Sequence, residues 1–456
     1  MVAASRRTRW IVLAATVLFV GLRATHAVLA VTRDDIYGSH RPRIIFSPDT
    51  TVYLKAAKGA LLSRQFLEAR GPFGYSLFLK LVGSNLRAAV LVQTALSIAA
   101  WVYLAEQVRR AFTSEVAAIV GFLGVLAIGL APAFMAWDAA VLTECLSIAL
   151  VCVVIALAVR LAVSATTATA VAFAIALALA SVVRDVNAFF AAGVGVAAAV
   201  LLCVPRARAG QVKRLAAVAI VCLTSAAVAL GLSGASNRSF YAVADSIVVH
   251  VGGQPDGVQW FIAHGMPNDG SLQLLRENYS LNQTQLFDDA PRLHAFHDWL
   301  MQHGSSTYYE YLATHPKWVL RQPLSQLTFL FAPYIDPIAR FWGNEPDIVS
   351  QTIGHFGMPS LLVDGIWATL AALGLIVAIA RRRLGAKDRR VAWTIVVIGA
   401  LVVPHALAVY HGDALEVSRH AVTLAAQTRI AVWIATVLLL DRFVEWRRAR
   451  TGGAGA

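Results

Sequence analysis

One carboxylate and three arginines stand out as side chains that could do chemistry. Asp49 lies four residues before Tyr53, in the stretch SPDTTVYLKAAK that follows the first apolar run. Arg184 and Arg419 lie at the ends of apolar runs, and Arg429 lies within one. A positioned carboxylate can accept a proton as a general base, and a guanidinium can bind phosphate through two parallel hydrogen bonds. These residue types suit a reaction in which a hydroxyl attacks and a phosphate leaves.

The stretch around Asp49 predicts a short amphipathic helix. Ser47 suits the N-cap and Pro48 the first helical position, and Gly71-Pro72 is expected to end the segment. Residues spaced three or four apart share one face of a helix, and here that face comprises Asp49, Tyr53, Ala56, Ala57 and Ala60. Favourable interaction with the helix dipole, a contribution of about 0.3–1 kcal/mol, explains Asp49 equally well from local sequence.

Composition indicates an integral membrane protein. Of 456 residues, 58% are hydrophobic and only 14% are charged, whereas soluble domains average about 45–50% apolar and about 25% charged residues. The net charge of +13 comes from short basic runs between apolar segments, so nucleic acid is not an expected partner. The four cysteines all lie in apolar runs, which predicts neither a disulfide framework nor a zinc site.

A membrane-spanning helix needs about 20 mostly apolar residues. Ten segments are predicted to span the membrane: Trp10–Val31, Asn85–Tyr103, Val116–Pro132, Ala139–Val159, Thr166–Val183, Ala188–Val204, Leu215–Ser233, Ser360–Ala380, Val391–Val409 and Val422–Leu440. The expected fold class is an all-α polytopic membrane protein with short amphipathic helices in its first outer loop.

The distribution of Lys and Arg predicts the sidedness. Short cytoplasmic loops are enriched in these residues, and the basic runs all fall on one side when the N-terminus is cytoplasmic. Both termini are then cytoplasmic, and two long segments, Thr32–Gly83 and Gly234–Pro359, are extracytoplasmic. The predicted division is residues 1–233 (seven spans, with the first outer loop 32–83), an extracytoplasmic segment 234–359, and residues 360–456 (three spans and a basic tail).

The first apolar run has two readings. Its basic start and small residues resemble a secretory signal peptide, but the apolar stretch continues past Arg23 and His26 to Val31, which favours a retained span. An arginine at this depth either extends towards the interface or faces a polar cavity.

Several motifs resemble those of the GT-C glycosyltransferases, polytopic enzymes that take sugars from polyprenyl-phosphate carriers. The first outer loop resembles theirs in its Asp-x-x-x-Tyr and in the turn Arg70-Gly-Pro-Phe-Gly-Tyr75. In chain order, further likenesses are LTECLSIAL at Leu142, VVRD at Val182, YLATHPKWVLRQPL at Tyr311 and VSRHAVTLAAQTR at Val417. The resemblance covers most of the chain and implies a GT-C-like fold.

The resemblance also implies site residues. Asp49 is the expected catalytic base, with Asp34 and Asp35 as alternatives because the acidic pair often seen in this loop is absent at Asp49-Thr50. His420 replaces the usual aromatic of the last span, and no proline follows it. The donor phosphate is expected on Arg419, Arg429 and Arg184, and substrate contacts on Tyr53, Tyr75, Glu144 and His420.

Other polar residues near the outer boundary have open roles. Asp138 and Glu144 either compensate helix dipoles or bind substrate. The spacings of His405, His411 and His420 match no compact ligand motif. No dedicated metal site and no required cofactor are predicted, although a divalent cation bridging Asp49 and the carrier phosphate is compatible with this chemistry.

The implied function is an inverting glycosyltransferase of cell-envelope biosynthesis in the cell membrane. It would move a sugar from a polyprenyl-phosphate carrier to a glycan, glycolipid or protein hydroxyl, with its active site on the extracytoplasmic side among membrane lipids. The alternatives are a lipid-linked glycan flippase or transporter, and a glycan polymerase or ligase. Seven spans before the long outer segment and three after it lack the paired repeats that transporters commonly show.

Overall fold

The computed structural model describes residues 5–32, 44–67, 69, 71–205, 211–236, 238–278, 290–331, 361–380, 384–412, 414 and 417–452. Throughout these ranges the secondary structure is helical apart from one isolated bridge between Ile45 and Ala140. The predicted all-α class is therefore confirmed.

The N-terminal helices comprise both long and short segments. They are α1 Arg6–Thr32, α2 Pro48–Lys58, α3 Arg64–Leu67, α4 Phe73–Leu81, α5 Leu86–Ala111, α6 Glu115–Leu130, α7 Pro132–Met135, a 3-10 turn Ala136–Ala139, α8 Thr143–Val163, α9 Thr167–Val183, α10 Asp185–Cys203 and α11 Val212–Ala235.

The remaining helices begin with the predicted outer segment. They are α12 Arg238–Asp245 with a π-helical continuation Ser246–Val251, α13 Pro255–Ala263, α14 Ser271–Asn278, a 3-10 turn Pro291–Leu293, α15 His294–Trp299 with a π-helical continuation Leu300–Gly304, α16 Ser305–Thr314, α17 Pro316–Leu324, α18 Leu327–Phe331, α19 Leu361–Ala380, α20 Ala386–Ala400, α21 Val402–Gly412, α22 Val417–His420 and α23 Val422–Gly452.

Each of the ten predicted spans coincides with an apolar helix. Among the described residues, seven helical segments are long and apolar enough to cross a membrane, with α20 and α21 counted together as the segment Ala386–Gly412. An eighth span results if α6 and the bent continuation Pro132–Ala139 are taken together. The two others, Thr167–Val183 and Gly365–Ala380, are apolar but shorter. The chain is thus a multi-pass membrane protein.

The centre of the bundle is formed by α8 and α23, whose apolar stretches are mostly buried, whereas α1 lies at the periphery. Small residues of α6 let α23 approach it closely. Trp433 of α23 lies over Gly124 of α6, where a methyl group would collide with its ring, and its indole N–H donates to the Gly121 carbonyl at 3.2 Å. Close backbone approach at small residues is a usual means of helix association in lipid.

The predicted outer segment has its own apolar core, separate from that of the bundle and rich in aromatic rings. His411, at the end of α21, joins it to the bundle. The His411 carbonyl accepts hydrogen bonds from Ser246 Oγ (3.3 Å) and Tyr308 Oη (3.1 Å), and its ring Nε2 lies 3.0 Å from the Val319 carbonyl oxygen. Burial raises the pKa of Tyr308, so its hydroxyl stays protonated and can donate.

The predicted helix after Ser47 is interrupted. Ser47 takes the N-cap position and Pro48 starts α2 as predicted, but α2 ends at Lys58, and Gly59 leads into a turn in which Leu62 has a φ of 66°. The shared face is confirmed for Tyr53, Ala56 and Ala57, which are buried, and is wrong for Ala60, which is exposed beyond the end of the helix.

Candidate functional site

Four charged side chains from distant parts of the chain meet at one end of the bundle. Arg419 Nη2 donates to Asp49 Oδ2 at 2.8 Å, and Arg419 Nε donates to Glu144 Oε1 at 2.6 Å. Arg184 Nη2 lies 3.2 Å from the same Glu144 oxygen. We call Asp49, Glu144, Arg184 and Arg419 the charged cluster. Its formal charges sum to zero.

Burial differs sharply within the charged cluster. The Asp49 side chain is 45% exposed, whereas the side chains of Arg419 and Glu144 are 5% and 0% exposed. Asp49 is therefore the carboxylate that a ligand can reach. Glu144, predicted to contact substrate, lies behind the arginines and is held by their guanidinium groups.

Arg184 is fixed between α9 and α10, where it is the N-cap of α10. Its Nη2 also donates to the Arg419 carbonyl at 3.2 Å and lies 2.8 Å from His420 Nδ1. His420, predicted to bind substrate, is thus in contact with the charged cluster through Arg184.

Tyr53 and Tyr75 lie beside the cluster. Their rings meet edge to face with centroids 5.1 Å apart, and Tyr75 Oη donates to Gln93 Oε1 at 3.1 Å. Burial raises the pKa of Tyr53 well above its usual range, and the Asp49 carboxylate raises it further. Burial likewise raises the pKa of Tyr75. Both phenols therefore stay protonated and act as hydrogen-bond donors rather than bases.

Two glycines of the sequence Gly-Pro-Phe-Gly-Tyr, which was predicted to end the helix, allow α4 to pack closely against Tyr53 and α9. A methyl group at Gly71 would lie 2.2 Å from the Tyr53 ring, and one at Gly74 would lie 2.5 Å from the Val182 carbonyl oxygen. Glycine is required where backbone and neighbouring groups approach this closely. The break thus brings α4 against the end of α9, immediately before Arg184.

Arg429, the third arginine predicted to bind the donor phosphate, lies within α23. It is buried, 5% exposed, and lies seven residues after Val422, where α23 begins. At about 1.5 Å per residue, this places it roughly two turns along the helix axis. The other two candidates for the base, Asp34 and Asp35, and Arg70 of the turn lie outside the described residues.

A second buried ion pair, which sequence reasoning did not connect, lies behind the site. Arg23 Nε donates to Asp138 Oδ2 at 2.8 Å, and Arg23 Nη2 donates to Asp138 Oδ1 and to Ser97 Oγ. Gln93 Nε2 donates to the carbonyls of Asp138 (2.9 Å) and Ala140 (2.6 Å). Arg23 therefore faces a polar interior, and Asp138 is engaged by it.

Further hydrogen bonds hold the segment between Asp138 and the start of α8, which carries Glu144 in its first turn. The Val141 carbonyl accepts a hydrogen bond from Thr50 Oγ1 at 3.0 Å. The Ile45 N–H donates to the Ala139 carbonyl, and the Ile45 carbonyl accepts from the Val141 N–H. The segment before α8 is thus tied to α1, α5 and α2. The signals in the sequence were an arginine within the first span and an aspartate at the start of another, but nothing in their spacing paired them.

The described histidines, cysteines and carboxylates include no group of three or more placed to hold a metal ion. The histidines of the last spans make separate contacts. His405 Nδ1 lies 2.9 Å from Gln427 Oε1, His411 meets Val319, and His420 meets Arg184.

Fold and site together define an all-helical, multi-pass membrane protein with a charged carboxylate–guanidinium cluster at one end of its bundle. No protein-family model matches the sequence, and no curated protein matches it significantly. Among solved structures, the chain is similar to the oligosaccharyltransferase AglB of Archaeoglobus fulgidus, determined in complex with an inhibitory peptide and a dolichol-phosphate.

The alignment with AglB covers 99% of this chain and 52% of that protein, with 13% sequence identity and a TM-score of 0.49. This chain therefore spans about half the length of AglB. A similarity at this level carries no argument about activity.

Proposed function

We propose that this protein is an inverting glycosyltransferase that uses a polyprenyl-phosphate sugar at the extracytoplasmic face of the cell membrane. The observation that supports the proposal is the accessible Asp49 carboxylate held at 2.8 Å by a buried arginine, Arg419, which a second arginine, Arg184, adjoins. In this proposal Asp49 is the base and the two guanidinium groups bind the phosphate, so the groups that this chemistry requires are adjacent.

In the proposed reaction, the acceptor hydroxyl attacks the anomeric carbon from the side opposite the carrier phosphate. The new C–O bond forms as the bond between the sugar and the phosphate oxygen breaks. Asp49 takes the hydroxyl proton, and the phosphate leaves with the bonding electron pair. Arg419 and Arg184 stabilise its charge, because charge-assisted hydrogen bonds to phosphate are strong and act where charge develops.

Glu144 has a positioning role in this proposal. A buried carboxylate between two guanidinium groups offsets their repulsion and fixes their orientation. Tyr53 supplies a neutral donor beside Asp49 that suits a sugar hydroxyl, whereas Tyr75 is fully buried, donates to Gln93 and supports the Tyr53 ring. A glycan, glycolipid or protein hydroxyl would be the acceptor, and a divalent cation at the phosphate is compatible with Asp49.

The test is transfer of sugar from radiolabelled polyprenyl-phosphate donors by the purified full-length protein. Because general base catalysis contributes about 10²–10⁴-fold, we expect Asp49→Asn to reduce the transfer rate by this factor while donor binding persists. Asp256→Asn, at an exposed position in the first turn of α13, is the matched control and should transfer normally.

Other outcomes separate the alternatives. Full activity in Asp49→Asn together with loss in Asp34→Asn or Asp35→Asn would move the base to that pair. Movement of the labelled lipid between leaflets with no transfer to any acceptor would indicate a flippase and overturn the proposal. Transfer of a carrier-linked glycan onto a second carrier-linked glycan would indicate a polymerase.

A further inference from the structure

An apolar groove runs between α9 and α11, away from the charged cluster. These helices lie side by side in the same direction, and the groove has a volume of about 560 Å³. Its floor and walls include Ala170, Val171, Ala174, Ala217, Val218 and Val221. Val171 and Ile175 on one wall and Val212 on the other are about half exposed. Within a bilayer, a groove of this composition is filled by hydrocarbon chains.

One end of the groove is strongly positive. Both helices begin there, at Thr167 and Val212, so the positive ends of two helix dipoles converge. Lys213 and Arg214 line the same end. Neither helix carries an acidic residue in its first turn. Cations at a helix N-terminus are electrostatically unfavourable, and a bound anion would relieve this repulsion.

Arg214 is held in place at this end. Its Nε donates to Thr167 Oγ1 at 3.3 Å and its Nη1 donates to the Ala165 carbonyl at 3.2 Å, both at the start of α9. A guanidinium has five N–H donors, so these two contacts fix the group and leave donors for an anionic ligand. The site therefore has an oriented cation at its mouth and an apolar channel below it.

We propose that the α9–α11 groove binds an anionic phospholipid, with the phosphate at Lys213 and Arg214 and an acyl chain along the alanine-lined floor. Basic pockets between membrane-spanning helices on the cytoplasmic side typically bind anionic headgroups. The predicted topology places this end of α9 and α11 on the cytoplasmic side, where the leaflet is negatively charged. The proposal is independent of the reaction at the charged cluster.

The test measures lipid binding by the purified full-length protein, using native mass spectrometry and the midpoint of thermal unfolding. Phosphatidylglycerol should bind and raise the midpoint by several degrees, and phosphatidylcholine should do neither. Lys213→Gln/Arg214→Gln should weaken phosphatidylglycerol binding about tenfold or more, since each basic group contributes appreciably to attraction of anionic lipid. Arg7→Gln, an exposed arginine of α1, is the control and should bind normally.

A second variant tests the groove itself with the cations intact. Ala217→Phe places a ring in the channel and should also weaken phosphatidylglycerol binding. Equal effects of phosphatidylcholine and phosphatidylglycerol, or unchanged binding in the double glutamine variant, would overturn the proposal. So would binding of undecaprenyl phosphate at these residues with no effect of phosphatidylglycerol, which would make the occupant a lipid carrier.

Discussion

At the scale of single residues, the two carboxylates of the charged cluster have different environments. Asp49 reaches the surface, whereas Glu144 is enclosed with Arg419 and Arg184. Bringing charged groups out of water is unfavourable unless each is compensated. Glu144 therefore stabilises a pair of arginines that the low-dielectric interior would otherwise not tolerate.

We expect Glu144→Gln to lower the free energy of unfolding by about 3–5 kcal/mol, because removing one partner of a buried pair leaves uncompensated charge. The measurement is denaturant unfolding of the protein in detergent micelles. Glu106→Gln is the matched control. Glu106 pairs at the surface with Arg109 and Arg110, and such pairs contribute only about 0.2–1 kcal/mol. Equal losses in the two variants would contradict a buried electrostatic role for Glu144.

At the scale of helices, close backbone contact positions the site. α4 packs against the end of α9 at Gly74, and Arg184 is the residue that directly follows α9. A side chain at Gly74 would move α4 away from α9 and would alter the environment of Tyr75 and Arg184 together.

We expect Gly74→Ala to destabilise the protein by about 1–3 kcal/mol, because overpacking against rigid backbone forces the helices apart. The loss should appear in the unfolding midpoint and, if the proposed function holds, in the transfer rate. Gly231→Ala is the matched control, since nothing lies within 4 Å of the added methyl group in α11. An unchanged unfolding midpoint for Gly74→Ala would show that α4 and α9 can move apart without loss of stability.

The Arg23–Asp138 pair links α1 to the segment before α8. We expect Asp138→Leu alone to lower the free energy of unfolding by about 3–5 kcal/mol, and the double variant Arg23→Met/Asp138→Leu to recover most of this loss. A double-mutant cycle with the two single variants measures the coupling. Additive losses would mean that the two side chains do not stabilise each other.

At the scale of the whole molecule, the start of α1 and the C-terminal part of α23 lie at the end of the bundle opposite the candidate site. Near the N-terminus, Thr8 contacts Glu115 at the start of α6. Near the C-terminus, Asp441 accepts a hydrogen bond from the Ser114 N–H at 2.7 Å. The charged cluster lies at the other end of α23, next to Arg419.

The predicted sidedness can be tested by cysteine labelling. In a Cys203→Ser background, we expect Ser306→Cys of the outer segment to react with a membrane-impermeant maleimide in intact cells, and Ala449→Cys of α23 to react only after permeabilisation. Both positions are exposed. The reverse pattern would invert the topology and place the charged cluster on the cytoplasmic face.

Hydropathy and helix-capping patterns identified much of the fold. Every predicted span coincides with a helix because an apolar segment in lipid must satisfy its own backbone hydrogen bonds. The start of α2 was also predictable, since Ser47 and Pro48 act through local geometry. The end of α2 was not, because Gly59 interrupts a pattern that otherwise continues to Leu67.

The sequence by itself determined the membrane-spanning class and the positions of the apolar helices, because these depend on local composition. Side-chain chemistry and the resemblance of the first outer loop made Asp49 and the arginines candidates. Only the tertiary structure decided which charges meet. Arg419 joins Asp49 and Glu144, and Arg23 joins Asp138. Such pairs form between residues more than a hundred positions apart, so they depend on how the helices pack, which no local pattern encodes.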